Sequence, residues 1–403
     1  MYTVNEHIEK SFARLCESEY RIENLFKDES YRWYGDWEGR ALLAFCNLFE
    51  LTGKKIPAMD AFVRELPSRL NREGFLGPIF NSDAVDEQQL SGHSWLLRGL
   101  AEHYRIFGDA ESLDMSKGIF EGLYLPAMPC YKSYPITREA RNEGSVSGNV
   151  SGILDGWLLS TDIGCAFICL DGVSAYYEIS KDSRAAEFIE NAAGRFGETD
   201  KLGARVQTHA TLTASRGLMR YYSVSGKKEY FAQALENFNL YISEGMTYTY
   251  ENFNWFGRKD TWTEPCAVVD SLLLAVAFYR ETGDEKYRTL ARRIWFNGLS
   301  FCHRANGGAG TNSCVYEGLP YLYIHKHYEA PFCCTMRYNE GLLCAKRNLE
   351  LWETSPDEPI TVDEKSRSFK GDLLLVTDPD SGSLIPLADL AFPEKSDKKY
   401  KVY

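Results

Sequence analysis

The sequence predicts an all-α protein, an (α/α)6 toroid with a short C-terminal extension carrying one or two β-strands. Two observations carry that prediction: a helix-turn-helix plan that recurs along the chain, and helical spacing of apolar residues in the first helix of each pair. The turns are Phe49 to Lys54 (FELTGK), Tyr104 to Asp109 (YRIFGD), Tyr177 to Asp182 (YEISKD), Tyr222 to Lys227 (YSVSGK) and Tyr279 to Asp284 (YRETGD). Four of the five carry Gly where a helix C-terminus takes a left-handed residue. The preceding helices place apolar residues at i, i+3, i+4 and i+7, as in Leu42, Phe45, Cys46, Phe49 and in Leu272, Ala275, Val276, Tyr279. The turns recur at intervals of 55, 73, 45 and 57 residues, and a further helix from Arg337 to Leu351 follows Cys333-Cys334, which makes six hairpins. Six hairpins with apolar inner helices close most economically into a ring, with an open solenoid as the alternative. Residues 1–352 therefore read as the toroid and residues 353–403 as linker and short β/coil segment. Within that segment Glu353 to Ser366 is polar and contains Pro, and Phe369 to Val376 reads as one strand.

At 403 residues, 44% hydrophobic and 25% charged, the chain can bury a large core, which excludes a disordered chain or a small disulfide scaffold. A formal charge of -12 argues against a nucleic-acid partner, because such affinity rests on clustered cations. No stretch of 18 apolar residues is present, and the start, Met1 to His7, lacks the basic and apolar regions of a signal peptide. A cytoplasmic protein that does not bind membranes is the expectation, with the oligomeric state open and a homodimer among the alternatives. Eleven cysteines without framework spacing point to thiols or metal ligands rather than disulfides. Aromatic residues, 14% of the chain, suit sugar-stacking surfaces as well as core. No nucleotide-binding signature occurs.

Polar and reactive residues recur near the starts of the inner helices: Trp33, Asp36 and Glu38; His93 and Trp95; Cys165; Gln207 and His209; Glu264 and Cys266; Cys333 and Cys334. Each alone reads as a cap or a core residue. Six recurrences at one phase point to a shared pocket, because parallel inner helices bring their starts to one face, where N–H donors and the positive dipole end favour anionic or hydroxyl-rich ligands. Glu264, Cys266, Cys333 and Cys334 form the sharpest set. Pro265 holds Glu264 out of the helical region and suits the first helical position, and three sulfurs with one carboxylate complete a tetrahedral zinc shell. Cys16, Cys46, Cys169, Cys302 and Cys344 read as small buried hydrophobes.

The order Gly74-Phe75-Leu76-Gly77, Ser91-Gly92-His93, Thr208-His209-Ala210, Thr263-Glu264-Pro265-Cys266 and Phe332-Cys333-Cys334 resembles glycoside hydrolase family 127 over residues 30 to 350. That resemblance implies a retaining exo-glycosidase of the β-L-arabinofuranosidase type acting on a small oligosaccharide or glycoside. It implies Zn2+ bound by Glu264, Cys266, Cys333 and Cys334, with Cys333 as nucleophile. It assigns the acid/base role to Glu251, with Glu244 the less attractive alternative. His93 and His209 would hold sugar hydroxyls together with Asp36 and Glu38, and Trp33, Trp95 and Trp255 would stack on the ring. The chain departs from the family at Thr335-Met336-Arg337-Tyr338-Asn339, where a Pro/Asn segment is usual, and in having at most a strand or two after the toroid. Arg337, Lys326 and His327 near the cysteine pair favour an acidic sugar. Two other readings stand beside this one: a metal-independent unsaturated-uronyl hydrolase or sugar epimerase using Asp36, His93 and His209, and a non-enzymatic helical-repeat binding protein.

Overall fold

The computed structural model describes residues 2–26, 32–79, 84–137, 147–324, 327–352, 360–362, 367–390 and 397–403. Helix α1 (Val4–Leu15) opens the chain, and five hairpins follow: α2 (Asp36–Thr52) with α3 (Met59–Arg69), α4 (Glu87–Phe107) with α5 (Ala110–Ile119), α6 (Cys169–Ser180) with α7 (Ser183–Glu198), α8 (Thr208–Ser225) with α9 (Lys228–Leu240), and α10 (Pro265–Thr282) with α11 (Glu285–Arg293). Helix α12 (Met336–Arg347) comes last. Every predicted turn is present. The N–H of Gly53, Gly108, Lys181, Gly226 and Gly283 donates to the carbonyl of the aromatic residue four positions earlier, and all five residues are left-handed. The aromatic-x-x-x-Gly signature thus marks the last turn of each inner helix. Lys181 adopts the same conformation at φ 56°, a strain of about 1 kcal/mol that glycine avoids.

Two compact units divide the chain, one of residues 16–244 and 255–257, the other of residues 1–15, 245–254 and 258–403. In the first, the inner helices α2, α4, α6 and α8 pack side by side in chain order. Glycines sit at each seam because the backbones touch. A Cβ on Gly39 would lie 2.1 Å from the carbonyl carbon of Trp95, one on Gly172 would lie 2.5 Å from the Ser94 oxygen, and one on Gly217 would lie 2.3 Å from the Leu170 carbonyl carbon. Strand β1 (Val85–Asp86) runs parallel to β3 (Trp157–Ser160), which forms a hairpin with β2 (Val150–Leu154).

In the second unit α10 packs on α12, and α1 lies against α12. Ser11 donates to Asn339 at 2.9 Å across that last contact, so the chain's first helix supplies the partner of the sixth inner helix. Nearby, His303 donates from Nε2 to the Gly307 carbonyl at 2.8 Å, and the His7 and His303 Nδ1 atoms meet at 2.7 Å. Strand β4 (Gly310–Thr311) pairs with β6 (Tyr328–Glu329). Strand β5 (Tyr321–Tyr323) begins an antiparallel sheet of order β5-β11-β9-β8-β7, with β10 on β9; its other members are β7 (Ile360–Val362), β8 (Ser368–Lys370), β9 (Leu373–Thr377), β10 (Leu384–Pro386) and β11 (Lys399–Val402).

Among the described residues the C-terminal segment carries five short strands where one or two were expected. The single strand expected over Phe369 to Val376 is a hairpin, because Gly371 turns the chain at φ 58° and pairs Phe369 with Leu374. The expected boundary at 352/353 does not separate the units, since β11 pairs with β5 ahead of α12. Most of the expected linker, residues 353–359 and 363–366, lies outside the described residues. Among the described residues no helix is long and apolar enough to cross a membrane.

Candidate functional site

The Thr263-Glu264-Pro265-Cys266 motif has the local geometry its residues dictate. Glu264 is extended at φ -126° and ψ 109°, Pro265 takes the first helical position of α10, and Cys266 follows it. The Glu264 N–H donates to Asn252 Oδ1 at 2.7 Å. Cys333 and Cys334 occupy a wide helical turn, Pro331–Thr335, that leads into α12. This brings together sulfurs 67 and 68 residues apart: Cys266 Sγ lies 3.3 Å from Cys333 Sγ and 3.7 Å from Cys334 Sγ. A carboxylate oxygen of Glu264 lies within 4.8 Å of the Cys266 sulfur. No cysteine is in a disulfide.

These spacings discriminate between chemistries. A disulfide needs about 2.05 Å between sulfurs. Tetrahedral thiolates at about 2.3 Å from a zinc ion stand roughly 3.8 Å apart, close to what is found here. The Cys266 and Cys333 sulfurs, followed by burial, push the Cys334 thiol well up, so three thiolates need a cation among them. Cys266, Cys333 and Cys334 therefore fit a divalent metal, with a Glu264 oxygen within reach of Cys266. Cys266 and Cys334 are buried, whereas Cys333 is half-buried.

Glu251 lies behind this motif and is completely buried. Thr249 donates to its Oε2 at 2.8 Å, while Thr263 at 3.0 Å and Asn312 both donate to its Oε1. Burial raises its affinity for a proton, against the hydrogen bonds, which lower it. A residue that protonates a leaving oxygen needs an open face, and Glu251 has none in this structure; its geometry is that of a positioning group. Glu244 is exposed at the end of α9.

The remaining expected residues belong to the other unit. Asp36, the first residue of α2, is buried and ion-paired with Arg40 at 2.9 Å. The Arg40 guanidinium lies 4.1 Å above the Trp95 ring, and Trp95 stacks on His209 at 5.9 Å and 14°. Asp36, Trp95 and His209 thus form one continuous stack. Trp33 packs beside it on the cluster of Leu43, Trp95, Cys165, Ile168 and Ala210. Glu38 is buried on α2, and Trp255 is buried with its backbone bridged to Gln207.

His93 departs from its expected role. It lies two turns inside α4, where its Nε2 accepts from the Leu76 N–H at 2.9 Å and its Nδ1 faces the Gln89 carbonyl at 2.9 Å. With both nitrogens used by backbone, it ties the Gly74-to-Gly77 loop to α4 and has no polar atom left for a sugar.

The true start of α4 is Asp86-Glu87-Gln88-Gln89, which sequence reasoning missed. Asp86 caps it by accepting from the Gln88 N–H at 2.8 Å. Glu87 accepts from Ser160 N–H at 3.0 Å, Gln88 donates to the Gly148 carbonyl at 2.9 Å, and Asp162 accepts from Gly148 N–H at 2.7 Å and from Gln207 at 3.1 Å. An Asp followed by three polar residues before an apolar run was the available signal.

The residues expected to greet an acidic sugar are not placed for it. Arg337 is fully buried and held by Asp270 and Glu340, and His327 is buried. Lys326 lies outside the described residues.

No family description and no curated relative matches the sequence. Solved structures do. Cellobiose 2-epimerase from Bacillus thermoamylovorans B4167 superposes with a TM-score of 0.55 at 14% identity, over 85% of this chain and 100% of that one. An unsaturated glucuronyl hydrolase specific for heparin gives 0.57 at 12% identity, over 87% and 99%. A GH127 β-arabinofuranosidase gives 0.55 at 12% identity, over 94% of this chain and 62% of that one. At such identities the likeness shows the fold, and the fold is the (α/α)6 toroid that the hairpin count predicted.

Proposed function

We propose that the protein is a carbohydrate-active enzyme, and specifically a retaining exo-glycosidase of the β-L-arabinofuranosidase type with a metal-held cysteine nucleophile. The observation that carries the reading is the convergence of Cys266, Cys333 and Cys334 within 4.8 Å, with Glu264 beside Cys266. A divalent ion such as zinc, when bound, would keep these thiols deprotonated at neutral pH. Glu264, Cys266 and Cys334 act as buried ligands, and Cys333, the half-buried member, reaches the substrate.

The Cys333 sulfur attacks the anomeric carbon as the bond to the leaving oxygen breaks, and that oxygen takes a proton from a general acid. Water then attacks the same carbon, the carbon–sulfur bond breaks, and the water's proton returns to the base. Two displacements retain the anomeric configuration. Glu251 is assigned no proton transfer in this scheme, because its oxygens are enclosed by Thr249, Thr263 and Asn312.

The test is elemental analysis of the purified chain together with turnover of aryl β-L-arabinofuranosides. About one zinc per chain is expected, lost in the Cys333→Ala/Cys334→Ala double variant. Cys333→Ala alone is expected to lower turnover by ~10⁴-fold or more with the fold intact. Full activity in Cys333→Ala, or a folded wild-type chain without metal, overturns the reading.

The stack of Asp36, Arg40, Trp95 and His209 supports a second reading, a metal-independent uronyl hydrolase or sugar epimerase with His209 as acid/base. Activity that survives exhaustive chelation separates it from the first.

A further inference from the structure

Thr263 and Thr335 flank the two halves of the cysteine motif, and one short segment, Ala309 to Ser313, grips both. At one end the Ala309 N–H donates to Thr335 Oγ1 at 2.9 Å, directly after Cys334. At the other, the Asn312 N–H donates to Thr263 Oγ1 at 2.8 Å and the Thr263 N–H returns to the Asn312 carbonyl at 3.0 Å, directly before Glu264. The segment is thus a splint that sets the Glu-x-Cys half against the Cys-Cys half.

Arg304 holds the splint. Its guanidinium donates to the Thr311 carbonyl at 2.6 Å, to Asn312 Oδ1 at 2.7 Å and to the Phe301 carbonyl at 3.0 Å. Asn312 in turn donates to Glu251. Arg304 is buried, and its Nε–H has no acceptor among the described residues. A buried arginine with a spare donor calls for a nearby anion.

We propose that Arg304 is the outer-shell positioning residue of the metal centre, fixing the splint and supplying the positive charge that the buried ligand set requires. The inference rests on the metal-thiolate reading above. One carboxylate and three thiolates around a divalent ion leave a net charge of -2, costly to bury without a compensating cation. Arg304 meets the ligand motifs through the splint, since its partners Thr311 and Asn312 lie in the segment bonded to Thr335 and Thr263. The Arg304-Asn312-Glu251-Thr263 chain also gives the buried carboxyl of Glu251 a purpose: it orients the residue next to Glu264.

The test is zinc affinity, measured by competition with a chelating dye, in the wild type, Arg304→Met, Arg304→Gln and Arg304→Lys. Removing the charge is expected to weaken zinc binding by about 10–100-fold in both neutral variants. Arg304→Lys, which keeps the charge but loses the planar fork on Thr311 and Asn312, is expected to fall between wild type and the neutral variants. The charge-transfer band of the cobalt-substituted protein is expected to move in the neutral variants only. Arg304→Gln, which still donates to Thr311, decides the matter should Arg304→Met not fold. Wild-type affinity in either folded neutral variant, or equal weakening in Arg304→Lys, overturns the proposal. A wild-type chain that binds no zinc fails the metal-thiolate reading instead, so the two failures are distinct.

Discussion

The two units place their polar residues by different means. In the unit of residues 16–244 the inner helices meet backbone to backbone through Gly39, Gly172 and Gly217, and Asp36 and His209 sit in the first turns of α2 and α8. Among the described residues of the cysteine-bearing unit α10 and α12 present such starts, and a short segment containing β4, Ala309 to Ser313, sets their register through hydrogen bonds. Where helices touch, steric fit fixes the geometry and tolerates no added atom. Where a short segment between helices does the positioning, buried polar groups fix it, and their protonation and charge become the sensitive variables.

The helix seam is most sensitive to one added carbon. Gly39→Ala places a Cβ 2.1 Å from the Trp95 backbone, which neither helix can yield without separating. A loss of about 3 kcal/mol or more is expected from urea unfolding. A variant as stable as wild type would show that the seam is not a steric contact.

Acid sets the two units apart as well. Burial holds the His7 ring down to about 3, His93 down to about 4 and His303 well below its ordinary value. The folded chain keeps these rings neutral while the unfolded chain takes up protons near pH 6.5. Stability is therefore full above that pH and falls as pH drops from about 6.5 towards 4, by about 2 kcal/mol per ring at pH 5. His103 of the glycine-seamed unit is also held below its ordinary value by burial, against Asp109, but the rings held down furthest, His7 and His303, share the cysteine-bearing unit, so hydrogen exchange at pH 5 is expected to rise more there than in the glycine-seamed unit. Equal rises, or no shift in the urea midpoint between pH 7 and pH 5, would contradict this.

The smallest effect has the opposite sign. Gly194 on the exposed face of α7 has no atom within 4 Å of an added Cβ. Gly194→Ala is expected to stabilise by about 0.5–1 kcal/mol, since alanine is the better helix former. Set against Gly39→Ala, it measures how far contact rather than propensity decides a glycine's value.

The same contrast explains what could be read from the sequence. The ends of the inner helices were legible because an aromatic residue four positions ahead of a left-handed one is a local pattern, and it held even at Lys181. The meeting of Cys266 with Cys333 and Cys334 was legible because thiols set at the starts of inner helices are the residue types a metal selects. Arg304 and Asn312 were not, since they lie in irregular backbone with no period and act through partners far along the chain. His93 was misplaced because the start of α4 was set too late, six residues beyond Glu87. The C-terminal hairpin was hidden inside an apolar run whose turn rests on Gly371 and Asp372.

The contact between α1 and α12 has a consequence for biosynthesis. Ser11 and Asn339 are 328 residues apart, so on a ribosome adding about 5–20 residues per second the first helix waits roughly 16–66 s for its partner to emerge. Until then the face of α1 that meets α12 is uncovered, and chaperones have that interval in which to hold it. Helix α1 is translated 328 residues ahead of the partner that covers it.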